Sequence, residues 1–405
     1  MANRKKTRCN TFEDVYKRLE EVMLANSGAD EFEEIFKFVI LKLWDEMHNT
    51  DSLYNKQQAE KILSQIEDEW SGVVIETEFM ITDEQFCVCR DIIKDFDFSA
   101  TGFEGIDAIF EFIISKEKKG AKGQFFTPRY IVDFCVDIIN PKEGESILDP
   151  AAGSGSFLYH SYLRDCIKGN QLWGFDFDAT AVRVARLLFH VGGVEAFHIH
   201  KLNSLLQPNK QGVLFPSINE LSTTIEDVKR IEKKKDYFDV IITNPPFAGE
   251  IIEPEILENY EISVDKKRME RDVLFLERCI ELLNDGGRMA IVLPDSVFGS
   301  NENEYIRRWV NSKCRIVGVV GIPRNAFMPH TPVKTSILFV QKRDNKKPNN
   351  EEQVFFGICE KPGKDSRGRL IYKTDDDNSW KNVDHDLEEV SKEFKQFIEQ
   401  NNIGW

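Results

Sequence analysis

The stretch from Ser146 to Asn244 constrains the fold more than any other part of the chain. It begins SILDPAAGSGSF, where Ile147, Leu148 and Asp149 read as the end of a buried strand. Pro150 to Gly155 then form a tight turn, and Phe157 to Arg164 the helix that follows. Gly153 and Gly155 carry no Cβ, so the backbone can approach a ligand closely, and the helix N-terminus turns free N–H groups toward it. A second apolar strand, Gln171 to Phe175, runs into Asp176, about 20 residues past Gly155, where a doubly wound fold sets an acid against ribose hydroxyls. A further strand, Tyr237 to Thr243, delivers Asn244, Pro245, Pro246 and Phe247 to the same sheet edge. A nucleoside site and a reactive loop are therefore expected to meet at the carboxyl ends of neighbouring strands.

Beyond this stretch the alternation of strand and helix continues, as a doubly wound, mostly parallel α/β sheet requires. Ala179 to His190 is expected as a helix. His198 and His200 alternate along a short strand ending at Leu202-Asn203. The two imidazoles share a strand face, but no third ligand stands nearby in the sequence, and no metal site is expected. Gln207 to Lys235 is polar and reads as an irregular surface excursion. Arg271 to Leu283 is expected as a helix stopped by Gly286-Gly287. Arg288 to Leu293, Ile316 to Ile322 and Thr335 to Gln341 are the later strands. Val333 to Lys342 reads as an edge hairpin strand.

On the amino-terminal side, Thr11 to about Phe112 has helical periodicity and few strand signals. Thr11 is expected to cap a helix from Phe12 to Leu24, and Asp30 the next. There Phe32, Ile35, Phe36, Val39, Ile40, Leu43 and Trp44 form one broad apolar face. Lys56 to Trp70 and Asp83 to Phe96 read as two more helices. The loop GAKGQFFTP (Gly120 to Pro128) follows a cluster at Lys116, Lys118, Lys119 and Lys122. Pro128 suits the first position of a helix running from Arg129 to Ile139. After Lys342, Val354 to Ile358 and Leu370 to Lys373 read as short strands, and Leu387 to Gln400 as an amphipathic helix. The expected division is a helical domain over 1–115, the sheet domain over 116–345 and an extension over 346–405.

Composition narrows the partners. Net charge is −16 over 405 residues. Phosphate contacts supply most non-specific affinity for DNA, so this balance speaks against a stand-alone DNA binder and leaves room for a subunit held on DNA by a partner. The eight cysteines lack zinc-finger spacing and read as thiols of a reducing cytoplasm. No apolar run approaches a membrane span, and the N-terminus lacks the apolar core of a signal peptide. A cytoplasmic protein without a membrane partner is expected.

The Asn-Pro-Pro-Phe loop has its own chemical logic. An exocyclic amine on an aromatic base is a poor nucleophile, because its lone pair is delocalised into the ring. A site that methylates it must hold both N–H bonds and direct the lone pair at the donor. The Asn244 side-chain carbonyl and the Pro245 peptide carbonyl supply two acceptors, and adjacent prolines stiffen them. Phe247 offers a flat face for an extruded base. Rate enhancement then comes mainly from orientation. Asp176 and Asp178 could each reach a ribose; Asp176 is favoured because it follows the strand directly, leaving Asp178 as a helix cap.

These segments resemble the gamma-type amino-methyltransferases of DNA, and most closely the modification subunit of type I restriction–modification systems. The resemblance runs from about Glu33 to Lys342, with a weaker match at the C-terminal helix. Gly123, Gln124, Phe125, Phe126, Thr127 and Pro128 are similar to the family's loop over the methionine side of S-adenosylmethionine. Asp149, Gly153, Ser154 and Gly155 fall in its glycine turn, and Asp176 takes the place of its ribose acid, often Glu. Asn203 stands where the family contacts the donor's adenine amine. Asn244, Pro245, Pro246 and Phe247 match its catalytic loop. The resemblance implies the class I S-adenosylmethionine-dependent methyltransferase fold and methylation of adenine N6 in double-stranded DNA. It also implies a separate specificity subunit, with a second copy of the chain and a restriction subunit as further partners. Cytosine N4, RNA or protein glutamine as acceptor, and a non-catalytic scaffold of the same fold, are the alternatives.

Overall fold

The computed structural model of the chain describes residues 11–24, 30–98, 100, 105–109, 112–113, 126–207, 224–234, 236–344, 352–374 and 380–404. Gly123, Gln124, Phe125 and the cluster from Lys116 to Lys122 lie outside them. The chain forms two compact units: Met1–Gly120 with Arg183–Val194, and Ala121–Val182 with Glu195–Trp405.

In the first unit stand α1 (Phe12–Leu24), α2 (Glu31–His48), α3 (Lys56–Glu69) and α4 (Asp83–Ile93). Their starts follow from local side chains. Asp14 N–H donates to Thr11 Oγ1, and Phe32 and Glu33 N–H donate to Asp30, while Thr82 and Gln85 close a capping box. The expected face of α2 is buried, with Ile35, Phe36, Val39 and Ile40 fully so. That burial takes Lys37 and Glu34 out of water as well, and they are tolerated there because they pair at 2.6 Å. Glu34 also accepts from Met80 N–H. Arg183 makes a two-pronged pair with Glu33 and donates to the Val73 carbonyl.

The second unit contains α5 (Arg129–Ile139), β1 (Ile147–Asp149), α6 (Ser156–Tyr162) and β2 (Leu172–Asp176). Next come α7 (Ala179–Val191), of which Arg183 onward groups with the first unit, then β3 (His198–Lys201), α8 (Ile225–Ile231) and β4 (Phe238–Thr243). After a short hairpin of β5 (Glu250–Ile251) and β6 (Met269–Glu270) with α9 (Pro254–Leu257) between them come α10 (Arg271–Leu282) and β7 (Leu283–Pro294). The rest is α11 (Ser296–Gly299), α12 (Glu304–Lys313), β8 (Cys314–Ile322), β9 (Thr335–Lys342), β10 (Phe355–Ile358) and α13 (Leu387–Gln400). One eight-stranded sheet runs β10-β8-β9-β7-β4-β1-β2-β3. All neighbouring pairs are parallel except those of β9, which is antiparallel to β7 and β8. The chain winds outward from β1 through β2 to β3, then returns to β4 on the other side of β1. The switch point therefore falls between β1 and β4.

Four local expectations are corrected. The strand at Val333 to Lys342 is interior, because β8 and β7 pair with its two sides. Gly286-Gly287 does not end α10. The helix stops at Leu282, and Gly286, at φ +78°, lies within β7 where its register with β4 breaks between Leu283 and Arg288. The polar excursion holds a helix, α8, opened by a Thr224/Asp227 capping box and anchored by buried Ile225 and Val228. Leu370 to Lys373 makes single bridges and no strand. The carboxyl-terminal segment completes the sheet through β10. Phe394 of α13 stacks on Phe355 at 4.4 Å, and Ser391 and Lys395 both donate to Asp137 of α5.

Candidate functional site

The carboxyl ends of β1, β2, β3 and β4 are laced together by side chains that follow each strand. Asp149 ends β1 and is 1% exposed. Its Oδ1 accepts from Ala151 N–H (3.1 Å) and from the Thr243 hydroxyl at the end of β4 (2.7 Å). Burial pushes the Asp149 carboxyl up to about 7; those two hydrogen bonds oppose the rise and the charge of Asp176 adds to it. Pro150 lends its carbonyl to the hydroxyl of Ser204, just beyond β3, at 2.6 Å. The Asp149–Thr243 bond thus couples the glycine turn to the residue immediately before Asn244.

The turn itself depends on its glycines. Gly153 and Gly155 have φ of +53° and +82°, a region that side chains disfavour. A Cβ built on Gly153 would meet nothing within 4 Å, so the turn presents bare backbone on that side. The Gly153 N–H donates to Asp176 Oδ2 at 2.9 Å, and Asp178 N–H donates to Asp176 Oδ1 at 2.8 Å. The Asp176 carboxylate is therefore fixed beside the glycine turn. Asp178 instead caps α7, accepting from Ala181 N–H at 3.0 Å. Ser154 is buried, its hydroxyl 3.1 Å from that of Ser156. Asn203 sits one strand further out, and its Oδ1 turns back to accept from Leu205 N–H.

The Asn244 loop follows directly from β4. Asn244 Nδ2 donates to Thr127 Oγ1 at 2.9 Å, which joins the GQFFTP segment to the Asn-Pro-Pro-Phe segment. The other end of the same amide is different. Asn244 Oδ1 is buried and has no hydrogen-bond partner among the described residues. A buried carbonyl without a donor is costly, and native proteins keep few of them. Phe247 packs edge-on against Phe327 at 6.0 Å, and Phe126 lies 6.5 Å from the His330 ring. The sequence assigns no role at the site to Thr243, Ser204 or Phe327. Thr243 borders the Asn244 motif, whereas no local pattern marks Ser204 or Phe327.

This arrangement sets a carboxylate, bare backbone at a helix start and an amide carbonyl without a donor among the described residues at neighbouring strand ends. A family model described as N-6 DNA Methylase matches residues 104–403. The chain belongs to the N-6 DNA methylase family.

Members and structural neighbours of the family agree with the fold. The chain is 32% identical over 253 residues to the methylase subunit of the type I restriction enzyme EcoEI of Escherichia coli. That match takes in 62% of this chain and 49% of the relative. The chain thus spans about half the length of the curated relatives it matches. A modification subunit from Vibrio vulnificus YJ016 superposes with a TM-score of 0.66 at 19% identity, over 98% of this chain and 91% of that one. A type I restriction-modification system methyltransferase subunit from Streptococcus thermophilus does so with a TM-score of 0.58 at 17% identity, over 96% and 94%. The fold is the class I methyltransferase fold expected from the sequence. Among the described residues no helix is long and apolar enough to cross a membrane.

Proposed function

We propose that this chain is the modification subunit of a type I restriction–modification system and transfers a methyl group from S-adenosylmethionine to adenine N6 in duplex DNA. The observation that carries the proposal is Asn244 Oδ1, a buried carbonyl without a donor among the described residues, beside the switch point of a doubly wound sheet. An extruded adenine supplies the missing partner: one amino N–H to Asn244 Oδ1 and the other to the Pro245 carbonyl. Thr127 holds the amide so that its oxygen, not its nitrogen, faces the base. Phe247 gives the base a surface to stack on.

The same strand ends suit the donor. S-adenosylmethionine, when bound, supplies an electrophilic methyl group on a sulfonium. Asp176 is placed to accept from ribose hydroxyls, and Gly153 to Gly155 allow the backbone to come close. Asn203 is assigned to the adenine end, and the segment Gly123 to Pro128 to the methionine end. Asp149 acts by holding the glycine turn against β4. With donor and amine oriented by these residues, the amine nitrogen would take the methyl group as its bond to the sulfonium sulfur breaks to leave a neutral thioether, and the extra proton on nitrogen would pass to solvent.

Type I names among the relatives, an acidic balance and the helical first unit support a division of labour. A specificity subunit supplies sequence choice, a second copy of the chain completes the methylating assembly, and a restriction subunit joins it for cleavage. The test is incorporation of labelled methyl into duplex DNA by the chain with and without a co-expressed specificity subunit. Transfer to adenine N6 that depends on Asn244 and Phe247 is expected. Turnover that survives both Asn244→Ala and Phe247→Ala discards the assignment.

A further inference from the structure

The amino-acid sequence shows His198 and His200 on one face of β3 without a third ligand. The structure brings one from 32 positions further on. Glu232, in the turn that ends α8, sets one carboxylate oxygen 3.4 Å from His198 Nδ1 and the other 3.6 Å from His200 Nε2. The three candidate ligand atoms lie within 4.8 Å of one another. Two histidines at i and i+2 of a strand necessarily share a face, and α8 is long enough to return its last turn over it.

The spacing is informative. Direct N–H···O bonds cluster near 2.9 Å, and 3.6 Å is outside their range. Zinc held at roughly 2.1 Å by nitrogen and oxygen places its ligands about 3.4 Å apart along a tetrahedral edge. Both imidazoles are also oriented by neighbours. His198 stacks on Trp173 at 3.9 Å and 15°, and the His200 ring lies 6.2 Å from that of Phe175. Side-chain exposures of 20%, 29% and 31% leave the cluster half-buried and reachable. A cleft of about 480 Å³, lined by Trp173, His198, Glu232 and Lys234, opens beside it.

We propose that His198, His200 and Glu232 form a binding site for one divalent transition-metal ion of the zinc class. Two neutral imidazoles and a carboxylate match the ligand preference of that ion, and solvent takes the fourth position. The ion would pin the end of α8 to the edge strand of the sheet. This site lies on β3 and α8, apart from Asn244 and the glycine turn, so it stands or falls independently of the methyl-transfer proposal.

The experiment uses the full chain, free of any histidine tag and stripped with chelator, titrated with Zn²⁺ alone and then with Co²⁺ alone. One ion per chain is expected at micromolar or tighter affinity, with a tetrahedral Co²⁺ spectrum lacking a thiolate band and a raised Tm. His200→Ala and Glu232→Gln should each weaken binding by more than roughly tenfold while retaining the far-UV spectrum of the parent. Replacing the exposed thiols, Cys87→Ser with Cys166→Ser, should leave binding unchanged. Absence of stoichiometric binding, binding undiminished in both ligand variants, or binding lost with the thiols overturns the proposal.

Discussion

The two ends of the same parallel strands carry polar clusters of very different kinds. At the amino ends, every group of the cluster has its partner. Asp239 accepts from the Ser146 N–H and hydroxyl and from Asn284 Nδ2, at 2.8, 2.9 and 2.8 Å. Arg288 grips Glu145 with two bonds, at 2.6 and 2.7 Å, and donates to the Ile139 and Asn140 carbonyls. At the carboxyl ends, Asp149 is buried with its carboxyl pushed up to about 7, and Asn244 Oδ1 has no donor among the described residues. Asp239 goes the other way. Burial would raise it, but the Ser146 N–H and then the Asn284 and Ser146 side chains outweigh that and hold it below the ordinary carboxylate range. The cluster at the amino ends is thus complete by itself, whereas the one at the carboxyl ends keeps a buried carbonyl unpartnered among the described residues, and that difference separates the two ends.

The largest effect should come from the open end. Asn244→Ala is expected to lower methyl transfer by roughly 100- to 1,000-fold, with only a small change in Tm, since among the described residues its amide gives up a single hydrogen bond, from Nδ2 to Thr127 Oγ1. A melting temperature that falls along with activity would make Asn244 a structural residue and erase the contrast. At the closed end, Arg288→Met should cost about 3 kcal/mol in urea unfolding, because it strands a half-buried Glu145, while methyl transfer per folded molecule stays near the parent's. A smaller effect is expected from Thr127→Val. Freeing the Asn244 amide to rotate removes about 1 kcal/mol of orientation, or roughly fivefold in kcat, with KM for the donor little changed.

The smallest effect is the most discriminating. Asp149 has a raised pKa, so its contribution to stability is fully present below 3.8 and is lost as pH rises through about 7. Asp149→Asn should therefore gain on the parent, by a few degrees in Tm, as pH goes from acid to neutral. Asp239 has a lowered pKa, so its contribution is present above 3.8 and lost as pH falls below it. Asp239→Asn should lose ground on the parent as pH rises out of the acid range. Thermal melts of both variants against pH measure this, and slopes of the same sign would dissolve the distinction between the two ends.

Much of this was legible in the residues themselves. Helix caps at Thr11 and Asp30, the strand-turn-helix at Ile147 to Tyr162 and the strand into Asn244 are local patterns, and the structure keeps them within one or two residues. The assignment of Asp178 as a helix cap held for the same reason. The interior position of β9, the bulge at Gly286 and the Thr224 helix were missed or misread. The first two depend on neighbours far away in the chain, and the third on a short capping box inside a polar run.

Order along the chain, apolar alternation and turn chemistry determined that this protein would be a doubly wound sheet with its glycine turn and Asn244 loop at one edge, because these depend on contacts a few residues apart. Only tertiary structure decided that Thr127 would hold the Asn244 amide, that Thr243 would reach Asp149 and that Glu232 would face two histidines. Those pairs are separated by 117, 94 and about 30 residues. Each forms only after strand order and crossover have brought the segments together, and a side-chain hydrogen bond has no periodicity to announce it.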